Sequence, residues 1–138
     1  MKNLSDPYKV TLEIPAERVA SLLVSAFEGG SNYWYTIKDR KIPHGSPMDW
    51  DFRLDKNDVF PHVDFPMNEG GALIIQDLED GHPEGQEWTL DQAALARGLQ
   101  LMAQKQPRHF SDMLKEDDDA VTADVFLQLC LFGEVVYG

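Results

Sequence analysis

The chain is short of basic residues, cysteine and long apolar runs. Lysine and arginine number 12 against 24 acidic residues, a net charge of −12 over 138 residues. Such a surplus repels a phosphate backbone along its length, which argues against duplex DNA or RNA as a partner. An anionic membrane surface is disfavoured for the same reason. One small phosphate-bearing ligand held by a few local cations stays compatible with this charge. The single cysteine, Cys130, excludes an intrachain disulfide framework and an all-cysteine zinc site. No apolar run approaches the roughly 20 residues of a membrane-spanning helix, and Met1 to Tyr8 lacks an apolar signal core. These absences predict a soluble protein of a reducing cytoplasm. No internal repeat and no named catalytic motif is visible.

What is present suits one core. Hydrophobic residues make up 43% of the chain, with three Trp, four Tyr and seven Phe, and the length fits a single domain spanning 1–138. Lys9 to Ile14 alternates apolar and polar residues, the pattern of a half-buried strand. After Pro15, residues Val19, Leu22, Leu23, Ala26 and Phe27 recur at helical spacing. Gly29-Gly30 then predicts a left-handed helix stop. Ser31 to Ile42 is rich in β formers and predicts a second strand.

Residues 43–89 hold five of the eight prolines and five of the ten glycines, and read as a variable insertion. So long a structureless loop is unexpected inside a compact domain, so short strands should break it. Ala72 to Leu78 is the strongest strand candidate. Asp51 to Leu54, Val59 to Phe65 and Glu87 to Leu90 are weaker, and Asp80-Gly81 is a turn signal.

Thr89-Leu90-Asp91-Gln92 has capping-box spacing before a helix over about 91 to 105. Pro107 restarts the chain as a second helix, with Phe110, Met113 and Leu114 inward. The acidic link Glu116 to Asp119 precedes a last helix lined by Val121, Val125, Phe126, Leu129 and Phe132 and stopped by Gly133. Val135 to Tyr137 suits a terminal strand. Together these elements predict an α+β fold: an antiparallel sheet with an N-terminal strand–helix unit and C-terminal helices packed on one face.

Three stretches are open to a binding reading. In Asn32-Tyr33-Trp34-Tyr35, strand alternation would send neighbouring rings to opposite faces. One aromatic face is then left for base stacking or for a core-and-dimer contact. Arg108, His109 and Phe110 sit at a helix break, where Arg108 suits a phosphate. The bland alternative is a helix start with surface Arg and His. Lys38 to Lys41, with Arg40, is a basic exception that suits an anion or a solvated strand end, and Arg18, Arg53 and Arg97 could join it. Asp124 could accept from ribose hydroxyls. The acidic run lacks calcium-loop spacing and no two histidines are spaced as a zinc pair, although His62 and Asp64 could share a strand face. No metal or other cofactor is expected. Cys130 reads as a buried, inert thiol.

Two stretches carry a resemblance. One is Ala26-Phe27-Glu28-Gly29-Gly30-Ser31-Asn32-Tyr33-Trp34. The other runs from Pro107-Arg108-His109-Phe110 through Val125 to Gln128 and Leu131 to Gly138. Over about 9–36 and 90–138 they resemble small proteins carried by bacteriophages and prophages. Size and element order are similar to the first-described Thoeris anti-defence sponge. The resemblance implies a non-enzymatic protein of the infected bacterial cytoplasm. It would bind a cyclic ADP-ribose isomer, and in some members cyclic oligonucleotides, without cleaving them. It also implies a homo-oligomer, dimer or hexamer. The expected ligand residues, chosen from the chain's own chemistry, are Asn32, Tyr33, Trp34, Arg40, Arg108, His109, Phe110 and Asp124. Two other classes compete: an acidic inhibitor of a host defence complex that mimics nucleic acid, and a small nucleotide-processing enzyme.

Overall fold

A computed structural model describes residues 4–31, 33–44, 59–79, 82 and 86–138. The chain runs through α1 (Ala16–Ser25), a π-helical turn (Ala26–Gly30), β1 (Tyr35–Lys41), α2 (Val59–Met67), β2 (Ala72–Asp77), β3 (Glu87–Leu90), α3 (Gln92–Lys105), α4 (Pro107–Leu114) and α5 (Ala120–Phe132). This is the α+β fold expected of the sequence. The sheet is antiparallel in the order β1-β2-β3. Tyr35 lies opposite Asp77 and Lys41 opposite Ala72, with a bulge between Ile37 and Asp39. Leu73 faces Leu90, and Ile75 faces Trp88.

The centre of the molecule is α5. Residues Thr122–Leu131 are all buried, and α1, the π turn, β3, α3 and α4 all contact this helix. An apolar stripe suffices for a helix on a surface, whereas one apolar on all sides must be enclosed. Two close approaches make this enclosure possible. A Cβ on Gly98 of α3 would stand 2.2 Å from the Cys130 Sγ, and one on Gly30 would stand 2.6 Å from the Ala120 carbonyl oxygen. Glycine is required at both positions because the helix backbones meet there.

Helix ends follow the side chains available. Asp91 caps α3 by accepting from the Ala94 N–H at 2.9 Å. The cap is therefore Asp91, while Thr89 and Leu90 still belong to β3. Pro107 takes the first position of α4, where its missing N–H costs nothing. Asp119 caps α5 through the Thr122 N–H at 2.9 Å, and Gly133 ends it at φ 75°. At that end Arg97 donates to the Cys130 carbonyl at 2.7 Å and Lys105 to the Gly133 carbonyl at 3.1 Å. Both cations satisfy carbonyls that a helix end leaves open.

Several expectations are corrected. Residues 9–14 form no strand, so the N-terminal strand is missing from the strand–helix unit. Gly29 and Gly30 do not have positive φ; α1 ends in the π turn, and Gly30 serves the contact with Ala120. The second strand starts at Tyr35, after a turn over residues 33–34, not at Ser31. Val59 to Phe65 is helical, because packing of Val63 and Phe65 into the core overrides their β preference. β2 is the middle strand and carries fully buried Leu73 and Ile75, so the region 43–89 supplies core rather than an addition to it. Leu114 and Val121 point outward, at 44% and 60% exposed. Val135 to Tyr137 forms no strand. The expectations at Asp51 to Leu54, Arg53 and Asp80-Gly81 lie outside the described residues.

Candidate ligand-binding site

The sequence around residues 31–34 meets α5 through one carboxylate. Asp124 Oδ1 accepts from Ser31 Oγ at 2.8 Å and from the Trp34 indole Nε1 at 2.7 Å. Its Oδ2 accepts from the Tyr33 hydroxyl at 2.6 Å. Three donors within four residues of chain can reach one carboxylate because the segment is a turn, closed by Trp34 N–H to the Ser31 carbonyl at 3.2 Å. Strand alternation therefore does not apply to Tyr33 and Trp34. Ser31 and Trp34 are fully buried, whereas Tyr33 is 46% exposed. Partial burial and the adjacent Asp124 carboxylate push the Tyr33 phenol well above its ordinary range.

A second buried carboxylate lies beside this one. Asp77, at the end of β2, has 3% of its side chain exposed. Burial alone would raise its pKa. Hydrogen bonds from the Tyr137 hydroxyl, from His82 and from the Glu79 N–H outweigh that and hold it below the usual carboxylate range. An ionised carboxylate only accepts, so His82 Nδ1, 2.7 Å away, carries the proton of this contact. The His82 ring is boxed by Trp88 and Phe132, at centroid distances of 4.7 and 4.4 Å. Tyr137 links the two carboxylates: its ring stacks on Trp34 at 5.8 Å and 27°. Gln128 holds the Tyr137 segment by accepting from the Val136 and Tyr137 N–H groups, both at 2.8 Å, and donating to the Tyr137 carbonyl at 3.0 Å.

The expected site residues separate into three places. Tyr33, Trp34 and Asp124 form the cluster above, in which Trp34 is a core residue and has no free face for a base. Arg108, His109 and Phe110 lie on α4. There His109 Nδ1 contacts Thr122 Oγ1 at 2.9 Å, Arg108 is exposed, and Phe110 packs against the core. Thr122 and Asp124 are two residues apart on α5, so they point to different sides of that helix. Arg40 is near the far end of β1, five residues beyond Tyr35 or about 17 Å along a strand. Asn32 lies outside the described residues. Arg18 and Arg97 do not join the basic cluster: Arg18 donates to the Met113 carbonyl at 3.0 Å and pairs with Glu116 at 3.1 Å, and Arg97 caps α5. No group of three or more metal-ligating side chains is found among the described residues.

Among the described residues, two open pockets are found. One of about 270 Å³ lies between Lys41, Gly71, Asp91 and Gln92. The other, of about 460 Å³, lies between Arg18, Ser21, Ser25, Glu116 and Asp118. Neither is lined by the aromatic cluster.

Asp77, His82, Ser31, Gln128 and Tyr137 are not among the ligand residues expected from the sequence. One signal was available for two of the buried polar groups. Asp124 and Gln128 are four residues apart in an otherwise apolar helix, and buried polar groups at that spacing face a common set of partners. Comparison with family models, curated proteins and solved structures finds no match for the chain.

Proposed function

We propose that the protein binds a cyclic nucleotide signal and withholds it without cleaving it, as a phage-borne anti-defence protein acting inside its bacterial host. The observation that supports this best is Tyr33. Its ring is half exposed while its hydroxyl is fixed on a buried carboxylate. An aromatic face held in this way is organised before a ligand arrives, so stacking a base on it costs little side-chain entropy. The acidic surroundings favour entry of the base first, with phosphates kept at the rim.

The test is incubation of the protein with cyclic ADP-ribose isomers and cyclic dinucleotides, followed by desalting, heat release and chromatography. Recovery of intact nucleotide, with uptake reduced at least about tenfold by Tyr33→Ala, is the expected result. A changed product would instead indicate an enzyme, with the Asp77–His82 pair as its base.

A second reading rests on the charge. The link before α5 presents exposed carboxylates at Glu116, Asp117 and Asp119, in a chain of net charge −12. Such a surface suits an inhibitor that competes with nucleic acid for a host protein. Absence of any nucleotide uptake, together with salt-sensitive inhibition of a host DNA-binding complex, would favour it.

A further inference from the structure

Beside Tyr33 stands a carboxylate that its own chain leaves open. The Leu78 N–H donates to the Trp34 carbonyl at 2.7 Å, which carries the β1–β2 register of Tyr35 and Asp77 one pair further. The residues next in line are Tyr33 and Glu79. Burial and the Asp124 contacts are the main reasons the Tyr33 phenol sits above its ordinary range, and the Glu79 charge adds to them, as side-by-side placement requires. The Glu79 N–H donates to Asp77 Oδ1 at 2.8 Å, so its backbone is fixed to the end of β2.

The carboxylates of this region differ in what they can still accept. Asp124 is filled by Ser31, Tyr33 and Trp34, and Asp77 by Tyr137, His82 and the Glu79 N–H. The Glu79 side chain is exposed, and among the described residues no hydrogen bond or ion pair engages its carboxylate. Open carboxylate oxygens beside an exposed aromatic ring set a chemical requirement. The complement is a planar group that lies on the ring and carries two neighbouring N–H donors on its edge. Among the common nucleobases only guanine meets it, through N1–H and the N2 amino group. Adenine and cytosine place a ring-nitrogen acceptor beside their amino group, and uracil flanks its one N–H with carbonyls. Each of these turns a lone pair on the carboxylate, which repels it.

We propose that Tyr33 and Glu79 form a guanine-selective base site, with the Tyr33 ring stacked on the base and the Glu79 carboxylate accepting from its N1–H and N2–H. The inference rests on the nucleotide reading above and names the base which that reading leaves open. Two-point contacts to an ionised acceptor belong to the strong class of hydrogen bonds. The same charge works against a ligand with the wrong edge, because nothing then offsets its repulsion of the phosphates.

Cyclic di-GMP and cyclic di-AMP carry the same charge and differ only in the base, so the pair isolates the base edge. Calorimetry on the full chain should show cyclic di-GMP bound about tenfold more tightly. Glu79→Gln should reverse the order. Its amide donates to adenine N1 and accepts from N6, whereas it accepts from guanine but also turns a donor on one of guanine's donors. The Glu79 side chain is exposed and unengaged, so this variant should keep the melting temperature of the wild type. Tyr33→Ala should lose both ligands. Equal affinity for the two, tighter binding of cyclic di-AMP, a guanine preference that survives Glu79→Gln, or uptake undiminished by Tyr33→Ala overturns the proposal. Binding of a cyclic ADP-ribose isomer with neither dinucleotide bound overturns the guanine site alone and leaves the nucleotide reading standing. Binding of no nucleotide overturns both.

Discussion

Asp124 is the side chain on which most of the polar interior depends. Two of its three donors, Ser31 and Trp34, are fully buried, so they have no water to turn to when the carboxylate is removed. Asp124→Ala should destabilise the protein by on the order of 3 kcal/mol, since each stranded buried donor costs about 1–3 kcal/mol. Asp124→Asn should cost less. One amide oxygen can still accept from Ser31 and Trp34, and only the Tyr33 contact meets an amide donor. Urea unfolding followed by tryptophan fluorescence measures both. Gly98 makes the opposite kind of point. Alanine is the better helix former, yet its Cβ would enter the space of the Cys130 Sγ. Gly98→Ala should therefore lower stability by about 1–3 kcal/mol. Cys130→Ala in the same chain should recover part of that loss, a coupling that a double-mutant cycle reads directly.

At the scale of elements, the helices were largely legible and the connections between them less so. α1 and α3 show in the 3.6-residue recurrence of apolar side chains and α5 as a largely apolar run, and Pro107 and Gly133 mark an entry and an exit. β2 and β3 show as short runs of β formers. The region around Tyr33-Trp34 departs from its pattern for a definite reason. Aromatic density points to a strand, whereas these rings precede the strand in a turn that directs them at one carboxylate. The long-range contact of residues 31–34 with α5 has no local sequence signature, and neither does the pairing of Asp77 with Tyr137. Residues 9–14 are the converse case: their alternation predicts a strand, and none forms there.

At the scale of the whole molecule, acid should act through the depressed carboxylates. Asp77 and Asp119 both titrate below their ordinary values in the folded state. Asp77 does so through the hydrogen bonds described, against its burial. Asp119 does so through its capping contacts to Thr122. An unfolded aspartate has a pKa of about 3.9, so the unfolded chain binds more protons in the acid range. The stabilisation from these groups is complete above about pH 5. It is lost as pH falls past the unfolded value and through the lower folded ones. Tyr137→Phe takes away one of the bonds that lower Asp77, so the loss of stability between about pH 5 and pH 2 should be shallower in that variant. Melting temperatures across that range decide it.

The central place of α5 also has a consequence in time. The segment that presents Ser31, Tyr33 and Trp34 is made some ninety residues before the carboxylate that receives it, at separations of 90 to 93 positions. While the chain is being synthesised, α1, the sheet and α3 emerge with their inner faces uncovered, and the indole of Trp34 waits in water for a partner not yet translated. Closure of the core is therefore a late, long-range event, and contacts of such separation slow folding. In refolding from denaturant, helical signal should precede the change in Trp34 fluorescence. On the ribosome, the same delay makes the nascent chain a client for holding chaperones until α5 clears the exit tunnel.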